Sequence, residues 1–338
     1  MRSHDTLDNV GPAIVIPAHN ESKFIGGLLA SILEYGPPNS QIIVVDNGST
    51  DETPAIARGY SATVLELPSR VSPAIARNIG VTHASIEREI LVFLDADVLL
   101  TPEWKCEWLK EFPSLLHNKR QLTGASYDVS QQPGWIERNW FALLALRTPT
   151  SINGGNLITS RELFDLIGGF DPHLETGEDV DFCARAQRAG AALVINPGFR
   201  THHEGNPKTI AAFVKRERWH GTGDLVNLRC AMTSKVVLAT CTFAGLHALM
   251  LGSAAYALLH GGHFSAPLAS LGGIVALCLI GAQRLGGRGG LSARPQTIMI
   301  AYFYYVGRML SIWEAIKRLT LADKTPPRLP HDTPTARL

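Results

Sequence analysis

Two carboxylates, Asp95 and Asp97, close an apolar run, Ile90-Leu91-Val92-Phe93-Leu94, and the pattern turns apolar again at Val98-Leu99-Leu100. Acidic side chains are seldom buried unless paired or bound to a metal. A spacing of two along a strand points both to one face. The stretch therefore aims two oxygen donors at one point near the C-terminal end of a strand, where a divalent cation is the natural occupant. A second acidic pair, Glu178-Asp179, opens a segment with apolar spacing through Phe182, Ala186 and Ala189 and a terminating Gly190. That is the pattern of a helix with acids in its first turn, where they also favour the helix dipole.

The elements that must position these groups alternate. Short β-branched runs at 13–18, 41–46, 62–67 and 89–97 are separated by helix-length segments at 21–34, 51–59 and 72–85. Alternation of this kind predicts an α/β fold, a sheet covered by helices on both faces. Ligands in such sheets bind at the C-terminal ends of the strands. His19, Asn20 and Glu21 follow the first strand, Asp46 and Asn47 the second, and Asp95 and Asp97 the fourth, so three polar groups share one edge. The stretch "DNGSTDE" also reads as a turn into a helix capped by Ser49 or Thr50. The loop after the first strand, "PAHNESK", lacks the glycine pattern of a dinucleotide site. Phosphate-loop, serine-elbow and HExxH signatures are missing as well.

Hydrophobic residues make up 45% of the 338 residues and the formal net charge is +1. Neither disorder nor a nucleic-acid partner is expected from those values. Five cysteines are scattered without a CxxC pair, which fits a reducing compartment. The first twelve residues hold no apolar run, so no secretory leader is expected there.

The chain changes character near residue 228. Residues 236–259 hold no acid, lysine or arginine, and as a helix would extend about 36 Å, enough to span a bilayer. A second apolar run, 264–282, follows the short link "HGGH", and then comes a basic loop with Arg284, Arg288 and Arg294. A helical hairpin with that loop on the cytoplasmic side obeys the positive-inside rule. A third segment, 297–319, would put Arg308 in mid-membrane if it spanned, so an aromatic interfacial helix is preferred. The expected organisation is a tail (1–12), an α/β domain (13–228), a membrane region (229–320) and a flexible tail (321–338). The expected location is the inner cell membrane, multi-pass, with the α/β domain in the cytoplasm.

Six stretches in order, "VIPAHNE" (15–21), "VVDNGSTDET" (44–53), "ARNIG" (76–80), "FLDADVLLTP" (93–102), "GGNLITSRELFDLIGGFD" (154–171) and "GEDVDFCARAQRAG" (177–190), resemble the family 2 glycosyltransferases. The resemblance implies a GT-A fold, a Rossmann-like mixed sheet flanked by helices and followed here by a C-terminal helical membrane region. It also implies an inverting transfer of sugar from a nucleotide-diphosphate donor, most often UDP-linked, to a hydroxyl acceptor. Pro17, Ala18, Asn20, Glu21, Asp46, Asn47, Arg70, Arg77, Asn78, Asp95 and Ala96 would then contact the nucleotide-sugar. Asp95-Ala96-Asp97 matches the DxD motif, with Asp97 ligating Mg²⁺ or Mn²⁺ and Asp95 holding ribose or a metal-bound water; His203 or His202 would supply a third ligand. Asp179, beside Glu178, would be the general base, since the acceptor hydroxyl must lose a proton. Gly154, Gly155 and Asn156 would face the acceptor or diphosphate.

"KRERWHGTGD" (215–224) is similar to the QxxRW motif of membrane-bound members, with Lys215 where glutamine would stand. There Arg218 would clamp the diphosphate and Trp219 would stack on an acceptor sugar. Membrane lipids, with a lipid-linked or saccharide acceptor, complete the expected partners. Two rivals are a sugar-phosphate nucleotidyltransferase, which would want a glycine-rich first loop, and a non-catalytic membrane scaffold or sugar-nucleotide sensor. Retention of Asp95, Asp97 and Asp179 together argues against the second.

Overall fold

The computed structural model describes residues 11–223, 234–285 and 294–322. Among them the chain forms two compact units. One runs to Ala212 and takes in Cys278–Ala301; the other holds Phe213–Leu277 and the residues from Tyr302 onward.

The first unit is built on a seven-stranded sheet of order β3-β2-β1-β4-β8-β6-β9. Its strands are β1 (Ala13–Ala18), β2 (Gln41–Asp46), β3 (Thr63–Glu66), β4 (Ile90–Leu94), β6 (Gln121–Gly124), β8 (Asn156–Ser160) and β9 (Ala192–Ile195). β1 pairs in parallel with β2 and β4, as the alternation predicts. β8 then enters antiparallel between β4 and β6, which makes the sheet mixed. Helices α1 (Ile25–Tyr35) and α4 (Pro102–His117) belong with one core: Ile14, Ile16, Val92 and Leu94 pack with Leu28, Leu29, Trp104 and Trp108. Helices α3 (Pro73–His83) and α7 (Glu178–Arg188) belong with the other, where Ala13, Val15, Leu91 and Phe93 meet Ala76, Val81, Phe182 and Ala186. Cover on both faces explains why β1 and β4 are apolar at nearly every position.

Local signals set the helix starts. Ser72 accepts from the Ile75 amide ahead of Pro73, and Thr101 accepts from the Trp104 amide ahead of Pro102. These are an N-cap followed by a proline at the first helical position. Helix α2 (Thr53–Gly59) departs from expectation: it begins after Glu52 without a side-chain cap. Ser49 and Thr50 instead bond to Asn20, the Ser49 hydroxyl accepting from the Asn20 amide and the Thr50 amide donating to Asn20 Oδ1. They tie the first loop to the second.

A small sheet of order β5-β10-β7 lies beyond the end of β4, from Val98–Leu99 (β5), Tyr127–Asp128 (β7) and Thr201–His203 (β10). β5 turns the chain back just after Asp97 and pairs antiparallel with β10, so that His203 faces Val98 in register.

In the second unit, the helix Lys235–His260 and most of the helix Ser265–Leu285 are long and apolar enough to cross a membrane. The third apolar segment forms part of the helix Pro295–Ala322, which is not among those two candidates. Its Arg308 has an acidic partner: Nη2 donates to the buried Glu217 at 3.1 Å, and Arg218 pairs with Glu314 at 3.3 Å. Phe243 stacks on Tyr305 with centroids 5.4 Å apart. The helix is thus held by ion pairs at one level and aromatic contacts at another.

Close packing of α3 on the sheet gives a testable consequence. A Cβ on Gly80 would lie 2.3 Å from Val15 Cγ1, whereas one on Gly59 would meet nothing within 4 Å. Gly80→Ala is expected to cost about 1–3 kcal/mol by overpacking, and Gly59→Ala to be neutral or stabilising by up to about 1 kcal/mol. Denaturant midpoints of the two variants check this.

Candidate active site

The C-terminal edge of β4 gathers the acidic residues. The Asp95 amide donates to the Gly155 carbonyl, which continues the β4–β8 pairing into the loops. Both oxygens of the Asp95 side chain are engaged: Oδ1 accepts from Arg77 Nη2 at 2.7 Å and Oδ2 from the Tyr127 hydroxyl at 2.8 Å. The Tyr127 hydroxyl also accepts from the Gly155 amide at 3.1 Å. Burial, then the Asp95 charge, holds the Tyr127 phenol well above its ordinary pKa, so it remains a donor.

Asp97 and His203 complete the cluster. One ligand atom from each of Asp95, Asp97 and His203 lies within 4.8 Å of the others. His203 Nε2 is 3.6 Å from Asp97 Oδ2, and its ring sits 4.8 Å from that of Tyr127. Gly205 is needed here, because a Cβ would fall 1.8 Å from Asp97 Oδ2. Two carboxylates and an imidazole, all partly open to solvent, form a donor set that fits a divalent cation such as Mg²⁺ or Mn²⁺. His202 does not join them. Alternation along β10 turns it away, with Nδ1 3.0 Å from the Val129 carbonyl oxygen.

Glu21 faces the same acidic field. Burial, then the charges of Asp97, Asp95 and Asp51, push its carboxyl up to about 8. The group is therefore mainly protonated at neutral pH when no cation is present.

The second acidic pair lies across the Gly154–Gly155 turn. Gly177, at φ +78°, sets the start of α7. Glu178 is buried and accepts from Arg77 Nη1 at 2.6 Å. Asp179 Oδ2 accepts from the Gly154 amide at 3.1 Å, and Oδ1 from the Val180 amide at 2.8 Å. Burial and the neighbouring Glu178 charge raise the Asp179 pKa against the pull of those amides and Arg77. A raised carboxylate pKa suits a general base.

Several expected ligand contacts are committed within the protein. Asn47 clamps Val71, accepting from its amide and donating to its carbonyl, both at 2.8 Å. Asn78 does the same for Phe170. Asn20, at φ +58°, accepts from Thr50, and Asn156 is fully buried, donating to the Ala125 and Phe199 carbonyls. These asparagines hold loops: the side-chain amides of Asn47, Asn78 and Asn156 donate to backbone carbonyls, and Asn20 Oδ1 accepts from the Thr50 amide. Pro17 and Ala18 end β1, where the Ala18 carbonyl accepts from the Asn47 amide, and Ala96 is buried. Asp46 differs: Oδ2 accepts from the Ser49 amide at 3.3 Å, while Oδ1 is buried with no partner among the described residues. That is a site prepared for a donor. Arg70 is exposed on the loop before α3. Arg218 and Trp219 belong to the second unit, Arg218 paired with Glu314 and Trp219 half exposed.

Tyr127 and Gly205 were not visible in the sequence, since a lone Tyr-Asp and an unremarkable loop glycine carry no pattern; only the β5–β10–β7 pairing brings them to Asp95 and Asp97.

Residues 13–170 match the model of glycosyl transferase family 2. Just under half of the chain thus carries the likeness to family 2 glycosyltransferases. A curated relative, 4,4'-diaponeurosporenoate glycosyltransferase from Staphylococcus aureus, is 36% identical over 149 residues, covering 41% of this chain and 37% of the relative. The chain thus matches well under half of that relative's length. The mannosyltransferase of Pyrobaculum calidifontis, solved in complex with GDP-Man and Mn²⁺, superposes with a TM-score of 0.57 over 90% of each chain at 20% identity. The mixed sheet with its flanking helices is accordingly of GT-A type.

The charge balance of this site is testable through pH. Glu21 binds its proton up to about pH 8 in the folded domain but only to about 4.5 as an ordinary glutamate. Folding therefore takes up a proton between those values, and the Glu21 contribution to stability falls as pH rises through the window. Glu21→Gln should gain stability relative to wild type from pH 5 to pH 8, read as the difference in melting temperature. Mn²⁺ should shrink that difference, and a difference flat with pH would contradict the assignment.

Proposed function

We propose that the chain is a metal-dependent, inverting glycosyltransferase that moves a sugar from a nucleotide-diphosphate donor to a hydroxyl acceptor at the cytoplasmic face of a membrane. The observation that carries this reading is the cluster of Asp95, Asp97 and His203, with the Gly154–Gly155 turn linking Asp95 to Asp179. Glycosyl transfer needs charge neutralisation at the departing diphosphate and a base for the acceptor hydroxyl.

Each group has a task within this reading. Asp97 and His203, with Asp95 beside them, hold Mg²⁺ or Mn²⁺, which when bound supplies Lewis-acid stabilisation of the diphosphate. The unpaired Oδ1 of Asp46 accepts from an N–H of the nucleotide base, as its burial without a partner would otherwise cost free energy. Asp179 takes the proton of the acceptor hydroxyl. The Gly154 and Val180 amides hold its carboxylate in one orientation while burial keeps its pKa high enough to accept.

The two long apolar helices insert into the bilayer, with Arg284 and Arg294 near the cytoplasmic surface. This favours a lipid-linked or membrane-proximal acceptor and a multi-pass protein of the inner membrane. Arg288 of the basic loop lies outside the described residues.

The test is nucleoside diphosphate release by the detergent-purified protein from UDP-, GDP- and dTDP-sugars with Mn²⁺ or Mg²⁺ and membrane lipid extract. One donor should turn over only with metal. Asp97→Ala and Asp179→Asn should each lose about 100-fold or more in kcat. Turnover that persists in both variants would reject the mechanism.

A further inference from the structure

Arg77 is the most deeply committed cation of the first unit, and the reading above gives it no task. Its side chain is 4% exposed, and its guanidinium is shared between Asp95 Oδ1 and Glu178 Oε1 at 2.7 and 2.6 Å. It also lies 5.4 Å from the Phe170 ring centroid. A Cβ on Gly154 would come within 3.1 Å of its Cζ, so the glycine turn runs directly over it. Each terminal nitrogen is committed to a carboxylate and Nε is buried, so the guanidinium faces protein on the side where its donors converge rather than open solvent. We propose that Arg77 is a positioning residue that couples the cation-holding Asp95 to the base-bearing start of α7, with Glu178 as its anchor rather than as a second base.

Connectivity and charge both single out Arg77 as the link. Asp95 ends β4, Glu178 begins α7, and Arg77 comes from α3, so one side chain joins three elements far apart in sequence. Fixing Glu178 fixes its neighbour Asp179, whose carboxylate is otherwise held by backbone amides. A guanidinium presents its donors in a rigid planar fork, which a lysine cannot reproduce. Asp95 is also shared between Arg77 and the cation cluster. What Arg77 gives to Glu178 it withholds from Asp95, and binding at one end must therefore alter the other reciprocally.

This inference builds on the transferase reading but has a readout independent of it. Mn²⁺ alone is titrated calorimetrically into wild type, Glu178→Gln and Asp179→Asn. Without Glu178, Arg77 turns wholly to Asp95 and competes with the cation, so Mn²⁺ affinity should fall about five-fold or more. Asp179→Asn removes the same charge one residue away without touching Arg77 and should change it less than about two-fold. Equal effects of the two variants would overturn the coupling.

The second arm is Arg77→Lys. It should lower kcat by about 10–100-fold, the cost of misplacing a reacting group, while UDP and GDP affinity with Mn²⁺ stays within about three-fold of wild type. A ten-fold or greater loss of nucleotide affinity with kcat retained would make Arg77 a phosphate ligand instead. If wild type turns over no donor, the transferase reading fails, whereas the Mn²⁺ titration still decides the coupling. If Arg77→Lys does not fold, the two carboxylate variants decide it.

Discussion

Like charges forced together at one sheet edge are the constraint on which the rest of this structure depends. Glu21, Asp95, Asp97, Glu178 and Asp179 come from three separate stretches of chain, and burial denies Glu21, Glu178 and Asp179 most of the screening of bulk water. The fold answers in three ways. Arg77 pairs with Asp95 and Glu178 while the Tyr127 hydroxyl also donates to Asp95, backbone amides hold Asp179, and Glu21 keeps its proton. Asp97 and His203 lie at the open end of this cluster, and their donor types are those that suit a divalent cation.

Scaffold and site are separable in physical terms. The two apolar cores on either side of the sheet are ordinary packing, and their strands would be equally apolar for any doubly covered sheet. The site is made by what happens after the strands end. β5 reverses the chain past Asp97, the Gly154–Gly155 turn brings backbone to within contact of Asp95 and Arg77, and Gly177 opens α7 with its acids forward. At Gly155 and Gly205 a side chain would occupy the space of Asp95 and Asp97, whereas Gly177 is needed for its φ of +78°.

Much of this was legible in the sequence. β1 and β2 fall where the β-branched runs predict, because strand signals bounded by turn residues are local. The DxD pair and the acidic helix start were visible for the same reason. Tyr127 and the commitment of Arg77 were not, since both depend on pairings between segments about 30 and 100 residues apart. The asparagines have a second role that the sequence did not show. Asn20, Asn47, Asn78 and Asn156 look like ligand contacts on a string, but in the fold they bind backbone and keep the loops in shape. A motif residue beside a site is often there to hold the residue that does the chemistry.

The central claim is that the acidic edge of β4 exists to be completed by a cation held between Asp97 and His203, with Asp95 braced behind it. The most direct measurement is anomalous diffraction from crystals of the protein grown with Mn²⁺ and a nucleoside diphosphate. The account predicts a single strong Mn²⁺ peak in contact with the Asp97 carboxylate and the His203 imidazole, with Arg77 still bridging Asp95 and Glu178. No peak at that position, or one that leaves Asp97 and His203 turned apart, would contradict it.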